Sequence, residues 1–189
     1  MTLKDLEQYV RTYNKAVYRL MASGRSAPSE SRLKAFETSI DFCFCPDFRE
    51  FTLSPLGGLI VEVCEELWRR PEPLPAGLGE QNLWSIRVFG IAAGVPRNLD
   101  LRAELAALPE VESDLIPFMA RGEEPERYCF DLDHQIVRWS PEDGSREVVD
   151  QSFYPLLLSE IRGLEERWRI LSEAPAPKKK RRSRKKKAD

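Results

Sequence analysis

The amino-acid sequence predicts an α+β protein in which helices near both ends of the chain flank a series of short strands. Apolar residues recur every three or four positions towards both termini, a spacing typical of amphipathic helices. Between them, β-branched or alternating segments are separated by proline and glycine, as expected for strands and turns. The chain has 189 residues, 42% of them hydrophobic, which is enough for one domain with extensions.

The first helix is predicted over residues 2–20. Thr2 and Asp5 have the spacing of a capping box, and Gly24 is expected to stop the helix. Its apolar stripe consists of Leu3, Leu6, Val10, Tyr13, Val17 and Leu20. A second helix is expected to begin near residues 29–31, and one face of it carries Leu33, Phe36 and Ile40.

The next part of the chain is predicted to hold a short helix and the first strands. Pro46 suits the start of a helix over residues 47–53, and the glycine pair at 57–58 suits a turn through positive φ. Strands are predicted at residues 59–63 and 84–89, with an irregular Pro- and Gly-rich loop at 71–79 between them.

The second half is predicted to contain a helix at residues 98–108 and several further strands. These strands cover residues 115–119, 128–132, 136–139 and 147–149. The second and third of them form a hairpin whose turn contains Asp133, His134 and Gln135.

Ser152 suits the N-cap of the last helix. The apolar stripe of that helix consists of Phe153, Leu157, Ile161, Leu164, Trp168 and Leu171. The first and last helices therefore both carry stripes spaced like a coiled-coil seam. We expect them to pack on each other or on copies in a second chain, which leaves both a monomer and a homodimer open.

The order of these elements, together with several short motifs, resembles the SUKH superfamily. Residues 36–63 are similar to the family pattern of a helix, an aromatic segment around a proline, and a glycine pair. Cys45 stands where the family usually has leucine before the proline. Further similar segments lie at residues 88–90, 116–118, 128–132, 136–139 and 152–153.

SUKH proteins include bacterial immunity proteins that neutralise polymorphic toxins, and fungal regulators of cell-wall assembly. The resemblance implies a largely antiparallel sheet backed by helices and no catalytic activity. Residues 29–172 are then expected to form the SUKH-like domain. An extra N-terminal helix and loop at residues 1–28 precede it, and a Pro/Ala linker with a basic tail at 173–189 follows it.

The sequence contains little that indicates catalysis. Its single histidine, His134, lies in a predicted turn, and the glycine motifs that bind phosphates or present a nucleophile are absent from the sequence. Cys43, Cys45, Cys64 and Cys129 are expected to be reduced, buried thiols, with a metal site as the less favoured alternative. We therefore expect a non-enzymatic protein without a cofactor. An enzyme that uses the histidine with a cysteine is the third functional class considered.

The formal net charge of −2 conceals two oppositely charged parts. Residues 1–177 contain 20 basic and 30 acidic side chains, whereas residues 178–189 contain nine basic and one acidic. The body of the chain therefore carries a formal charge of −10 and the tail one of +8. An acidic body with a cationic tail differs in its interactions from a neutral molecule.

The acidic body predicts a surface that captures a basic protein. The residues assigned to partner binding are Glu62, Glu65, Glu66, Trp68, Asp131 and Asp133. A basic nuclease toxin fits this description, because its own site must attract phosphates, and complementary charge speeds association. The tryptophan would supply a buried anchor. The alternative for each acidic cluster is a solvated surface that keeps the protein soluble.

The basic tail is expected to be disordered, because it contains no apolar residue that could be buried. Its charged residues are Lys178, Lys179, Lys180, Arg181, Arg182, Arg184, Lys185, Lys186 and Lys187. Three roles are open: binding nucleic acid or another polyanion, acting as a nuclear-localisation-like patch, or folding over the acidic face of the body. Any contact with nucleic acid is expected through the tail only.

The protein is expected to be cytoplasmic and not membrane-bound. Its N-terminus is charged and lacks the apolar stretch of a secretory signal. No run approaches the roughly 20 apolar residues that a bilayer-spanning helix requires.

Overall fold

The computed structural model describes residues 1–64, 67, 84–122 and 125–173. Its helices are α1 (Leu3–Thr12), α2 (Glu30–Ser39), α3 (Pro46–Leu53), α4 (Leu101–Ala107) and α5 (Phe153–Glu173). Its strands are β1 (Tyr18–Met21), β2 (Ile60–Val63), β3 (Ser85–Val88), β4 (Ile116–Arg121), β5 (Arg127–Phe130), β6 (Ile136–Trp139) and β7 (Arg146–Val148).

The strands form one sheet whose order across the sheet is also their order along the chain. Each neighbouring pair is antiparallel, from β1 against β2 through to β6 against β7. Together with the five helices, this antiparallel sheet makes the described part of the chain an α+β fold. The predicted fold class is therefore confirmed.

Most predicted elements are present, with ends that differ by a few residues from the predicted ones. Capping side chains fix the residue at which several helices begin. The Ser29 hydroxyl caps α2 by accepting the Arg32 N–H at 3.3 Å. The predicted helix at 98–108 is divided into a 3-10 turn at Arg97–Leu99 and α4. The division occurs because the Asp100 carboxylate caps α4, accepting the Arg102 N–H at 3.0 Å. The Pro- and Gly-rich loop at 71–79 lies outside the described residues.

The prediction of one continuous helix over residues 2–20 is wrong. The capping interaction is present, since the Thr2 N–H donates to the Asp5 carboxylate at 2.7 Å, but α1 ends at Thr12. Asn14 then forms a turn in which its side-chain oxygen accepts the Ala16 N–H at 3.1 Å, an alternative to helical hydrogen bonding. Residues 18–21 leave this turn as β1 and pair with β2.

One face of the sheet is covered by α1, α2, α3 and α5 and contains most of the core. Its centre is Phe48, which is fully buried. The Phe48 ring lies 4.8 Å from that of Phe44, 5.3 Å from that of Phe153 and 5.4 Å from that of Phe130, measured between centroids. These rings join α3, the sheet and the start of α5 into one aromatic cluster.

The opposite face of the sheet carries a smaller apolar cluster. It consists of Leu115, Cys129, Val137 and Trp139, with Leu108 packed against it. Because side chains alternate along a strand, Cys129 points away from the core that its neighbours Tyr128 and Phe130 enter. The segment that contains α4 packs on this side, where Glu104 forms an ion pair with Arg127 at 3.0 Å.

The first and last helices contact each other within the same chain. Leu6 of α1 is fully buried, and α1 contacts both α3 and α5. The N-terminal segment therefore contributes a helix and an edge strand to the fold. Along the stripe of α5, Phe153, Leu157, Ile161 and Leu164 are buried. The side chain of Leu171 is not among the described groups.

Candidate partner-binding surface

Only part of the predicted partner-binding set belongs to the described residues. Glu65, Glu66, Trp68 and the tail residues 178–187 lie outside them. Glu62 lies on β2 opposite Arg19 of β1, and the Arg19 guanidinium is 3.5 Å from its carboxylate. This carboxylate is thus partly neutralised by a cross-strand partner.

Asp131 and Asp133 lie in the turn between β5 and β6, at the other end of the sheet from Glu62. Strands β3 and β4 separate β2 from β5, so the fold does not bring Glu62 close to the two aspartates. The Asp131 carboxylate accepts the backbone N–H groups of Asp133 at 3.0 Å and Gln135 at 2.8 Å. Asp131 therefore builds the turn, whereas Asp133 is exposed to solvent.

Beside this turn lies an open cleft of about 480 Å³. The β5–β6 turn forms one wall, and the residues between β7 and α5 form another. The start of α3 closes the third side. Buried Phe130, Ile136 and Phe153 contribute its apolar floor, while Asp47, His134 and Asp150 contribute polar groups. The start of α3 thus meets two stretches from the second half of the chain at one edge of the sheet.

The surroundings of the cleft are acidic. Asp47 and Asp150 line the cleft, and Asp131 and Asp133 belong to its turn wall. Asp41 adjoins Phe42, whose ring centroid is 4.9 Å from that of His134. No lysine or arginine is among the described residues that line the cleft. We call this cavity, together with Asp47 and Asp150 that line it and Asp41, Asp131 and Asp133 that lie near it, the acidic cleft.

The aspartates of the acidic cleft differ from most other carboxylates in lacking a cationic partner among the described residues. Elsewhere, arginines neutralise many of the acidic side chains. Arg49 bridges Glu30 and Glu37, and Arg146 bridges Glu112 and Asp114. The negative charge of the acidic cleft is therefore available to a cation from a binding partner or from residues outside the described ranges.

Two apolar side chains stand exposed at the rim of the acidic cleft. Leu132 in the β5–β6 turn is 64% exposed, and Val148 at the end of β7 is 63% exposed. Large apolar side chains with this exposure are common singly, but here they flank a cleft with an apolar floor. The combination of apolar contact and negative charge suits a protein segment with both aliphatic and cationic groups.

The side chains considered for catalysis do not form a reactive group in the described residues. Cys129 lies on the opposite face of the sheet from the acidic cleft, and burial raises its thiol pKa to about 12. Cys45 lines the acidic cleft with His134, but burial raises its thiol pKa as well, whereas nucleophilic cysteines have a lowered pKa. No cluster of three or more possible metal ligands occurs in the described ranges.

Sequence reasoning missed Asp41, Asp47 and Asp150 as members of the site. Asp47 was assigned only to the start of a helix, and Asp41 and Asp150 were given no role. A usable signal existed, because Asp47 lies in the first turn of one predicted helix and Asp150 lies shortly before another, where acidic side chains interact favourably with the helix dipole. The sequence did not indicate that the two starts meet.

Within the described ranges, no helix is both long enough and apolar enough to cross a membrane. No known protein family matches the sequence, and no characterised protein matches it. Among solved structures, the chain is similar to the crystal structure of a protein from Pseudomonas syringae pv. tomato, with 16% sequence identity and a TM-score of 0.42. That similarity covers 80% of this chain and 89% of the other. It is too distant to indicate a function.

Proposed function

We propose that the chain is a non-enzymatic binding protein of the SUKH type that acts in the cytoplasm as an immunity protein, neutralising a bacterial toxin by protein–protein contact. The observation that supports this proposal is the acidic cleft, where two aspartates line a cavity with an apolar floor and three more lie near it, all without a cationic partner among the described residues. The SUKH assignment rests on the ordered motifs between residues 36 and 153.

Electrostatic complementarity favours a basic partner. A nuclease toxin must concentrate positive charge at its own site to bind phosphates, and an acidic surface can cover that site. Long-range attraction would speed the encounter and exclude acidic partners. The formal charge of −10 on residues 1–177 extends the attraction beyond the acidic cleft itself.

The apolar groups of the acidic cleft provide the contact energy that exposed charges do not. Exposed ion pairs contribute only about 0.2–1 kcal/mol each, whereas a few desolvated apolar anchors dominate typical interfaces. Val148, which lines the cavity, and Leu132, which lies in the adjoining turn, are exposed and available to such an interface. A stable complex would need to bury roughly 800 Å² on each partner, so the contact would extend beyond the cavity.

Co-expression with a basic nuclease toxin encoded by a neighbouring gene tests this proposal. The charge-reversing pair Asp133→Arg and Asp150→Arg should abolish protection of the cells and capture of the toxin. The matched control pair is Glu110→Arg and Glu142→Arg, two exposed positions. Glu142 lies in the turn between β6 and β7, at the opposite end of these strands from the acidic cleft, and Glu110 lies before β4. Protection that survives the first pair as well as the second would overturn the proposed surface.

A regulatory or scaffold protein that binds nucleic acid or another polyanion is the second candidate. The nine lysine and arginine residues at 178–187 favour it. Replacing all nine with glutamine discriminates the two functions. Toxin capture at physiological salt should survive this change if the body binds the partner, whereas binding to a polyanion should collapse. Loss of toxin capture in this variant would contradict the immunity function.

A further inference from the structure

We propose that the basic tail, residues 178–187, docks into the acidic cleft of its own chain and acts as a built-in competitor of cationic partners. Two independent features lead to this inference. The acidic cleft is a preformed cavity with negative charge left unpaired among the described residues, and the same chain ends in a cationic segment. The inference requires no particular partner and goes beyond the proposed immunity function.

The charges of the two segments are complementary even after the helix dipoles are included. The starts of α3 and α5 both face the acidic cleft, and each contributes about half a positive charge. The two aspartates that line the cavity and the three that lie near it therefore give this region a net charge of about −4. The tail contributes nine cations with no apolar residue among residues 178–187, which suits an adaptable electrostatic contact.

Most other acidic surfaces of the described residues compete poorly for the tail. Glu104 is held by Arg127, Glu160 by Arg121, and Glu62 by Arg19. A tail lysine would have to displace an arginine from these sites. At the acidic cleft, by contrast, it would meet carboxylates that lack a cationic partner in the described part of the chain.

The tail is long enough to return to the acidic cleft, but only its distal half can reach it. Helix α5 begins at the cleft and has 21 residues, so its end lies about 30 Å away. An extended chain covers at most about 3.5 Å per residue, so residues 178–181 fall short of the cleft and residues 184–187 reach it. Geometry therefore predicts that the distal cations make the contact.

Tethering makes a weak contact effective. A segment joined to its binding site by a linker that can span the distance has a high effective concentration, up to about 1 mM. A tail with a sub-millimolar dissociation constant would therefore occupy the acidic cleft most of the time. A free partner must then exceed this local concentration or bind more tightly, which would exclude weakly basic proteins.

The test uses a fluorescein-labelled peptide with the sequence of residues 174–189 and measures its anisotropy at about 50 mM salt. Its acceptors are the wild-type chain and a full-length tail-neutral variant in which all nine tail lysines and arginines are glutamine. The peptide should bind the tail-neutral variant about tenfold more tightly, because the cleft is no longer occupied. Equal affinity for the two proteins would overturn the proposal.

The binding site is located by two matched pairs of substitutions in the tail-neutral background. Asp133→Asn with Asp150→Asn should weaken peptide binding about fivefold, as expected for the loss of two exposed ion pairs. Glu110→Gln with Glu142→Gln removes the same charge away from the acidic cleft and should leave the affinity unchanged. Equal losses of peptide affinity from the two pairs would mean that the tail binds the acidic body non-specifically, which would contradict docking in the acidic cleft.

The reach of the tail gives a separate test in the full-length chain. Neutralising Arg184, Lys185, Lys186 and Lys187 should raise peptide affinity nearly as much as neutralising all nine cations. Neutralising Lys178, Lys179, Lys180 and Arg181 removes the same charge and should have a much smaller effect. The reverse order would overturn the tethered geometry. None of these measurements involves a toxin, so they remain informative if the immunity function fails.

Discussion

Gly90 lies against the backbone of Gly58, so closely that a Cβ atom on Gly90 would be 2.7 Å from the Gly58 Cα atom. Gly58 is the second residue of the glycine pair before β2, and Gly90 follows β3. Gly90 also joins the sheet to the segment before α4, since its N–H donates to the Leu99 carbonyl at 2.8 Å. This contact leaves no room for a side chain at position 90.

Gly90→Ala should therefore lower the free energy of unfolding by about 2 kcal/mol or more, because backbone atoms must move apart. Gly163→Ala is the matched control in α5. There the nearest atom to the added Cβ is the end of the flexible Arg167 side chain at 3.3 Å. The control should raise the stability by about 0.5–1 kcal/mol through helix propensity. Urea unfolding of both variants measures the difference.

The aromatic cluster around Phe48 is expected to dominate the stability of the core. Phe48→Ala should cost about 3–5 kcal/mol, because the ring is fully buried and its neighbours belong to several elements. Leu132→Ala removes a side chain that is 64% exposed and should change the stability by less than about 0.5 kcal/mol. Similar midpoints of thermal unfolding for the two variants would contradict this packing.

The N-terminal segment should stabilise the whole domain. Leu6 is fully buried between α1 and the rest of the core, so Leu6→Ala should cost about 2–5 kcal/mol. Val111→Ala changes a side chain that is 83% exposed and serves as the control. If α1 were an independent appendage, chemical unfolding of the Leu6 variant would show an unchanged main transition.

The stability of the protein should decrease above pH 10. Burial, followed by the hydrogen bond that Tyr128 donates to Glu160 at 2.6 Å, raises the pKa of Tyr128 from its ordinary value of 10.0 to about 12. Because the folded-state pKa is the higher one, the stabilisation is complete below pH 10. It is lost as the pH rises towards 12, since only the unfolded chain releases the proton in this range.

Tyr128→Phe tests this alkaline effect. The phenylalanine variant should lose stability between pH 10 and 12 with a slope that is shallower by up to about 1.4 kcal/mol per pH unit. Denaturant unfolding at several pH values measures both slopes. Parallel curves for wild type and variant would show that Tyr128 ionises equally in the folded and unfolded states.

Most elements could be predicted because their boundaries are encoded by adjacent residues. The Ser29 cap, Pro46 at the start of α3 and the aspartate-containing turn after β5 all act within four residues along the chain. Local hydrogen bonds of this kind favour the same conformation in any context. Residues 18–21 were predicted incorrectly because their helical spacing agreed with a stripe, whereas pairing with β2 favours a strand.

The acidic cleft was predicted only in part. Asp131 and Asp133 were assigned to a binding surface, but Glu62 of the same set lies at the other end of the sheet. Asp41, Asp47 and Asp150 were missed, because their proximity to the β5–β6 turn depends on how α3 and α5 pack on the sheet. Such packing brings Asp41 and Asp47 to a turn more than 80 positions away in sequence, and no local sequence pattern predicts it.

The sequence alone determined the α+β class, the positions of most elements, and the opposite charges of the body and the tail. Periodicity, capping and charge are properties of neighbouring residues and can be seen without a fold. Tertiary structure decided that residues 18–21 form a strand and that three separate segments enclose an acidic cleft. It also decided which carboxylates have arginine partners, because ion pairs depend on distances in space.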